Sequence, residues 1–358
     1  ESTRADLAPL ALELANWGVA DPAALTWLDP PEAAAMDQAR DLLKSLGALD
    51  PQGRITGHGR RMARLAMHPR LAHMLVTAGP EAAPLAALLA ERDPIRGAPA
   101  DLALRLTAIR NPKRYEMDHP HRIGRGVVER IRAETSRLAR MVQPVPEAIH
   151  PAEMAALAYP DRVGLRRSGD PPRYVLSGGK GAIVNEGDPL GQQRRIVATD
   201  LDGDPREARV RQGIGISESA LRRLFADRIG WHDTAEWSRR DGRVTARRQE
   251  RFGALVLVDQ PWPDAPPETL ARAALDGIRQ IGLPWSLPAR RLRARIALLA
   301  TEGADMPEVS DEALLANAEE WLLPHLSGKR TETDLRAVNL TEPLLRSLTW
   351  EQRQALDR

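Results

Sequence analysis

The chain combines many arginines with few of the residue patterns that enzymes use for catalysis. It contains no cysteine, which excludes disulfides, thiol nucleophiles and cysteine-ligated zinc sites. The segment Gly178-Gly179-Lys180-Gly181 has the glycines and the lysine of a phosphate-binding loop, but no Ser or Thr follows the lysine, and the segment falls in a predicted hairpin. Neither a GxSxG nucleophile turn nor a magnesium-binding Asp-Glu-Ala-His run occurs. We therefore predict no catalytic residue and no ATPase activity for this chain alone.

Histidines are the remaining candidates for metal chemistry. His68 and His73 are five positions apart, so they do not share a helix face as the two histidines of an HExxH zinc motif do. Asp118, His119 and His121 could bind a metal ion in principle, but the pattern is more typical of a solvated polar loop. We predict neither a metal site nor a cofactor for this chain.

Arginine dominates the positive charge of the chain. The formal net charge is only +2, yet the pI is about 9.2, because all basic residues except Lys44, Lys113, Lys180 and Lys329 are arginines. Heavy arginine use suits phosphate binding, since one guanidinium can donate to two oxygens at once. A GC-rich genome that prefers arginine codons throughout would produce the same composition. Net charge alone therefore does not indicate nucleic-acid binding. Local clusters of arginine are the evidence that would indicate it.

Three segments contain such local clusters. They are a predicted helix over 122–142, a β-rich region around 155–215, and a strand-rich passage at 239–251 with the densest arginines. Tyr174 is the only obvious ring in the second segment on which a base could stack, so we expect phosphate contacts to dominate. The candidate nucleic-acid-binding residues are Arg125, Arg132, Arg166, Arg167, Arg173, Tyr174, Lys180, Arg194, Arg195, Arg247 and Arg248.

Residues 28–75 predict a helix, a tight β-wing and a second helix that follows the wing directly. Asp29 is placed to cap the first helix, and Pro30 can take its first position, where a missing N–H costs nothing. Gly47 supplies the left-handed residue that ends it. A turn at 50–53 then joins two short strands. This order of elements is that of a winged helix.

The charge on the predicted helix over 32–46 argues against sequence-specific DNA binding. Arg40 and Lys44 are opposed by three acidic residues on the same helix, which is a poor footprint for a phosphate backbone. We therefore interpret the wing as a structural connector. A weaker alternative is that the chain is a winged-helix DNA regulator. Tight binding to a defined DNA duplex would favour that alternative.

Changes in periodicity divide the chain into four predicted domains. The second is all-helical with a loop at 111–121, and prolines 144, 146 and 151 mark a linker after it. Alternating patterns then predict strands, and helices are expected near Pro266, Pro288 and Ser310. The predicted domains are a winged helix at 1–62, a helical domain at 63–150, a β-rich domain at 151–215 and a mixed α/β domain at 216–358.

Several segments resemble a known helicase family. LDPPEAAAMDQARDLLKSLGALDPQGRITGHGRRMARLAMHPRLAHML is similar to the junction after the motor of DEAH-box RNA helicases, where a winged helix is followed by a helical ratchet domain. ALAYPDRVGLRR and RYVLSGGKGAIV resemble the OB-like domain of the bacterial HrpB-type group. RVTARRQERFGALVL and SDEALLANAEEWLLPHLSG resemble the C-terminal domain of that group. The resemblance covers essentially the whole chain and implies a multi-domain α+β fold with a winged helix, a ratchet domain, a small OB-like barrel and a mixed α/β domain.

The resemblance also implies a function. In the family, two RecA-like motor domains precede this region. They bind ATP and magnesium, so the resemblance places both cofactors in the motor. By comparison with the family, both ends of this chain look cut. The resemblance implies an accessory half that guides single-stranded RNA or DNA and has the motor domains as its partner. A pure protein-interaction scaffold, with the arginines set by genome composition, is the alternative. No run of about eighteen apolar residues and no signal pattern occurs, so we expect no membrane partner and a cytoplasmic setting.

Overall fold

The computed structural model describes residues 6–19, 28–204 and 206–358. Residues 1–5 and 20–27 of the predicted winged-helix domain therefore lie outside the described residues. Among the residues that are described, no helix is long and apolar enough to cross a membrane.

The described chain forms two units with separate interiors. The first comprises the described residues up to Ile229 together with Phe252–Leu255. The second comprises Gly230–Arg251 and Val256–Arg358. The short return of the chain into the first unit at Phe252–Leu255 is the turn of a hairpin.

A winged-helix arrangement opens the first unit. Its helices are α1 (Ala8–Asn16), α2 (Pro30–Ser45) and α3 (Gly57–Ala63). The Asp29 side chain accepts a hydrogen bond from the backbone N–H of Glu32 at 3.0 Å and so caps α2. Gly47 follows the helix with a φ of 74°, and a β-bridge between Leu49 and Ile55 forms the wing. The predicted order of helix, wing and helix is confirmed.

Helices continue after the wing, as predicted. They are α4 (Pro69–Ala78), α5 (Ala83–Leu89), α6 (Leu102–Arg110), α7 (Pro112–Asp118), α8 (Arg125–Ala139) and α9 (Pro151–Ala158). The prediction of a loop over 111–121 was wrong for Pro112–Asp118, because the Asn111 side chain accepts from the backbone N–H of Arg114 at 3.2 Å and caps α7, and it holds only for residues 119–121. The Asn-Pro step therefore begins a helix here. Pro151 likewise begins α9 instead of lying in a linker.

A closed five-stranded barrel follows α9. Its strands are β1 (Val163–Arg166), β2 (Arg173–Leu176), β3 (Gly181–Ile183), β4 (Arg195–Leu201) and β5 (Glu207–Gly215), in the order β1-β2-β3-β5-β4. The pairing of β3 with β5 is parallel and the other pairings are antiparallel. The interior is filled by Tyr174, Leu176, Ala182, Val184, Leu190, Ile196, Ala198 and Val210. Helix α10 (Glu218–Leu224) completes the unit, and the Ser217 side chain caps it by accepting a hydrogen bond from the backbone N–H of Ala220 at 3.1 Å.

The second unit combines a small sheet with helices. Strands β6 (Ile229–Ser238), β7 (Arg243–Phe252) and β8 (Leu255–Pro261) form the sheet in that order. The helices are α11 (Pro267–Ile281), α12 (Leu287–Thr301), α13 (Asp311–Ala316), α14 (Ala318–Trp321), α15 (Glu332–Arg336), α16 (Thr341–Ser347) and α17 (Trp350–Asp357). Trp237, Leu275 and Trp321 lie in one shared core. The helices expected near Pro266, Pro288 and Ser310 are confirmed.

Candidate nucleic-acid interface

A basic cleft of about 480 Å³ lies on the barrel of the first unit. It is formed by the loop between β1 and β2 and by the short turn Pro189–Gln192. The residues that line it are Arg166, Arg167, Ser168, Gly169, Asp170, Gln192 and Arg194. The structure thus brings together three of the arginines that the sequence proposes for phosphate contact.

Arg166 holds this cleft together. Its guanidinium donates hydrogen bonds to the backbone carbonyls of Gly169 at 2.9 Å, Asp170 at 3.1 Å and Gly191 at 2.8 Å. These bonds tie the β1–β2 loop to the neighbouring turn. Since the donors of Arg166 are largely used within the protein, its part in the cleft is to position the loop.

Arg167 and Arg194 are the available cations of the cleft. Both are exposed, and neither has an ion-pair partner among the described residues. Their backbones are fixed, because the Arg167 N–H donates to the carbonyl of Arg173 at 2.7 Å, and the Arg166 N–H donates to that of Arg194 at 2.8 Å. Two free guanidiniums on rigid backbone can contact the oxygens of a phosphate chain without reading bases.

Arg195 differs from its neighbour Arg194. Its side chain is only 18% exposed and forms an ion pair with Glu218 at 3.3 Å. Glu218 is the first residue of α10, so the pair links the barrel strand β4 to that helix. Arg195 is therefore engaged within the fold and is not a free contact for a phosphate.

Tyr174 is buried, which corrects its assignment as a stacking ring. It is 1% exposed in the barrel interior, and its hydroxyl points at the backbone carbonyls of Leu190 and Gln193. Alternation along β2 places its side chain inside the closed barrel, where no ring face is left for a base. Arg173 on the same strand is exposed and lies 3.5 Å from Glu207, while Lys180 is exposed at the β2–β3 turn.

Carboxylates balance much of the basic face of α8. Ion pairs join Arg125 to Glu116, Arg130 to Glu91 and Arg137 to Glu134. Arg132 is exposed and has no such partner within the described part of the chain. The face therefore offers less free positive charge than its sequence suggests, because two of these carboxylates come from outside the helix.

Two family models match segments of this chain. The model described as "Helicase associated domain (HA2), winged-helix" matches residues 39–67, and the one described as "ATP-dependent RNA helicase HrpB, connector region" matches residues 228–262. The first covers the end of α2, the wing and α3. The second covers the sheet β6–β8. The winged helix is thus supported by both the structure and the family model.

Known proteins match the chain over much greater lengths. The ATP-dependent RNA helicase HrpB of Escherichia coli (strain K12) is 32% identical over 370 residues, which is 100% of this chain and 43% of that protein. The crystal structure of E. coli DExH-box NTPase HrpB matches with a TM-score of 0.59 and 33% identity, covering 99% of this chain and 43% of that one. The human probable ATP-dependent RNA helicase DHX35 is 38% identical over 80 residues, 22% of this chain and 11% of that protein.

The chain is homologous to HrpB-type helicases along its whole length. The resemblance recognised in the sequence is confirmed, and the chain spans less than half the length of the HrpB proteins it matches. The human relative shares only a short segment, so it adds little beyond the helicase class.

In the segment matched by the HrpB connector model, carboxylates neutralise two of the arginines that the sequence singled out as candidates. On β7, Arg247 donates to Asp259 at 2.8 Å and Arg248 donates to Asp233 at 2.8 Å. The hydrogen bond from Arg248 lowers the pKa of Asp233. Both pairs run across neighbouring strands of the sheet, so these two candidates are occupied by carboxylates more than ten positions away in sequence.

Sequence reasoning missed a partly buried charge cluster in the first unit. Arg70 on α4 forms two hydrogen bonds with Asp161, at 2.7 and 3.0 Å, and donates to the carbonyl of Ala158 at 3.1 Å. Arg70 and Arg162 both lie against the Tyr159 ring, 4.7 and 5.1 Å from its centroid. Burial alone would raise the pKa of Asp161, but the bonds from Arg70 lower it. The cluster fastens α4 to the entrance of the barrel and has a structural role.

The segment around Asp118, His119 and His121 forms a ring stack. The Tyr115 and His119 rings stack with centroids 4.4 Å apart, and the Tyr115 hydroxyl lies 2.8 Å from His121 Nδ1. No group of three or more His, Cys, Asp or Glu side chains suited to a metal ion occurs among the described residues.

Proposed function

We propose that this chain is the accessory, strand-guiding part of an HrpB-type ATP-dependent RNA helicase. It contacts single-stranded nucleic acid through phosphates and does not hydrolyse ATP by itself. The motor domains of the same protein are its partner. The observation that carries the proposal is the pair of free guanidiniums on fixed backbone, Arg167 and Arg194, at the barrel cleft.

The barrel supports this proposal by its architecture. Five strands closed in the order β1-β2-β3-β5-β4 suit an OB-like domain, a class that binds single strands in surface grooves. The burial of Tyr174 removes the one stacking ring that the sequence suggested for this surface, which leaves phosphate contact as the main interaction there. Such contact gives weak base preference and strong salt dependence.

Binding of a labelled single-stranded RNA, measured by fluorescence anisotropy at several salt concentrations, tests the proposal. We expect the double variant Arg167→Ala/Arg194→Ala to bind more weakly at low salt. Its slope of log affinity against log salt should fall by about 1.4, since each single-strand phosphate contact contributes about 0.7. The matched control is Arg290→Ala/Arg291→Ala, which removes the same charge from an exposed part of α12.

Two results would contradict the proposal. The first is an unchanged slope in the Arg167/Arg194 variant, which would remove the barrel cleft from the strand path. The second is no binding of single strands at low salt, which would favour the scaffold alternative. The carboxylates that neutralise α8 and β7 are the observation in favour of that alternative.

A further inference from the structure

The second unit has a cleft of its own, of about 450 Å³, at the start of β7. Trp262 lines it between Pro261 and Pro263. Three arginines, Arg243, Arg247 and Arg330, line it as well. An indole beside several guanidiniums is a different lining from the barrel cleft, where no aromatic residue is present.

Backbone pairing builds this cleft from segments that are distant in sequence. Arg243 forms a β-bridge with Thr331, and the Val244 N–H donates to the carbonyl of Arg330 at 2.8 Å. These contacts bring Arg330 beside the start of β7. The Trp262 N–H donates to the carbonyl of Ala246 at 3.0 Å, which fixes the indole-bearing residue against the same strand.

Two of the three arginines are available to a ligand. Arg247 is held by Asp259 at 2.8 Å. Arg243 and Arg330 are exposed, and within the described part of the chain neither forms an ion pair. Asp241 also lines the cleft and lies 3.8 Å from Arg240, so a nearby cation offsets its charge.

Trp262 is the one aromatic residue among those that line the cleft. The residue is half-buried and packs against the core of the second unit, so its position is fixed by the fold. A rigid indole costs little conformational entropy when a flat ring stacks on it, and stacking is tolerant of base identity. A volume near 450 Å³ falls in the range of small-ligand sites.

We propose that this cleft binds one nucleotide unit of a single strand, with its base against Trp262 and its flanking phosphates on Arg243 and Arg330. The inference rests on the proposed function and extends the strand path to the second unit. It assigns base stacking to this unit and leaves only phosphate contact to the barrel cleft.

Two labelled probes separate stacking from charge: an oligouridine of about sixteen nucleotides, the upper site size of one OB fold, and an abasic oligomer with the same number of phosphates. Using the full chain, we expect Trp262→Leu to weaken oligouridine binding at least about fivefold and to leave the abasic probe unaffected. Arg243→Ala/Arg330→Ala should weaken both probes. Arg290→Ala/Arg291→Ala is again the charge-matched control.

A photo-crosslink on the unmodified chain keeps the inference testable if Trp262→Leu fails to fold. Oligouridine carrying 5-iodouridine should crosslink to the peptide that contains Trp262. Crosslinks confined to the first unit, with Arg243→Ala/Arg330→Ala binding normally, would overturn the inference and leave the proposed function standing. No binding of either probe would overturn both. If an acidic proline-rich peptide binds and oligouridine does not crosslink at Trp262, the cleft is a binding site for a protein partner, and this result would also overturn the inference.

Discussion

At the scale of single residues, Arg194 and Arg195 show how neighbouring arginines take different roles. Arg194 is exposed beside the barrel cleft, whereas Arg195 is 18% exposed and paired with Glu218. Arg194 precedes β4, whereas Arg195 is the first residue of that strand and its side chain reaches Glu218 at the start of α10. Removing Arg195 would disturb the attachment of α10, and for that reason Arg167 and Arg194 are the informative pair for a binding experiment.

His58 and His73 form a second pair whose behaviour follows from its surroundings. A hydrogen bond joins His58 Nε2 to His73 Nδ1 at 2.7 Å, so one imidazole donates and the other accepts. Burial, with smaller contributions from the nearby His58 and Arg228, lowers the pKa of His73 to about 3. Burial and then Arg61 also lower the pKa of His58. Thr77 lies 3.4 Å from His73 and carries no charge to offset a proton.

This pair predicts an acid-sensitive first unit. Unfolded histidine titrates near 6.5, whereas folded His73 titrates near 3, so between these values the unfolded chain binds more protons. Stability is therefore full above pH 6.5 and falls with decreasing pH, by up to about 1.4 kcal/mol per pH unit for His73. Urea denaturation at pH 7 and pH 5 measures this. His73→Asn should flatten the fall, while His150→Asn, at an exposed site, should not; equal slopes in the two variants would contradict the prediction.

At the scale of elements, a glycine fixes the turn between β7 and β8, in the segment that the HrpB connector model matches. Gly253 has a φ of 52°, and a Cβ at this position would meet the backbone carbonyl of Ser177. The neighbouring Ala254 N–H donates to that same carbonyl at 2.9 Å. The Phe225 and Phe252 rings stack nearby with centroids 4.7 Å apart. Glycine is therefore required here mainly because the Ser177 backbone lies so close to Gly253, and less because of the conformation of the turn.

We expect Gly253→Ala to destabilise the chain more than a glycine replacement that introduces strain alone. Gly187→Ala is the matched control, because Gly187 has a φ of 82° and open space within 4 Å of a built Cβ. The control should cost about 1–2 kcal/mol, the penalty of a left-handed residue with a Cβ. Gly253→Ala should cost about 1–3 kcal/mol more, through displacement of the turn from Ser177. Chemical denaturation measures both, and equal losses would show that the turn can shift freely.

The elements also show which features a sequence can predict. Caps at Asp29, Ser217 and Ser310 were predictable because each depends on residues within three positions. Asn111 is also a capping residue, and it stands directly before a proline. The loop prediction failed because this Asn-Pro step was interpreted as a turn and not as the start of a helix. Partners of the arginines were not predictable, because they come from other strands and helices. The burial of Tyr174 depends on closure of the barrel, which alternation within one strand does not specify.

At the scale of the whole chain, the main sequence prediction is that this chain alone neither binds nor hydrolyses ATP. The glycine-lysine segment at 178–181 lies between β2 and β3, which pair as antiparallel strands. A phosphate-binding loop instead joins a strand to a helix whose N-terminal N–H groups face the phosphates. This geometry gives no reason for ATP to be preferred over other polyanions.

Ligand-dependent stability tests this whole-chain prediction. A ligand that binds only the folded chain stabilises it by about 2.7 kcal/mol at a hundredfold excess over its Kd. We expect millimolar ATP with Mg²⁺ to raise the melting temperature no more than inorganic tripolyphosphate with Mg²⁺ does. An equal small rise with both would reflect phosphate binding at the basic clefts, since tripolyphosphate has the charge of ATP without its base or ribose. A rise specific to ATP would contradict the prediction and require a nucleotide site in this chain.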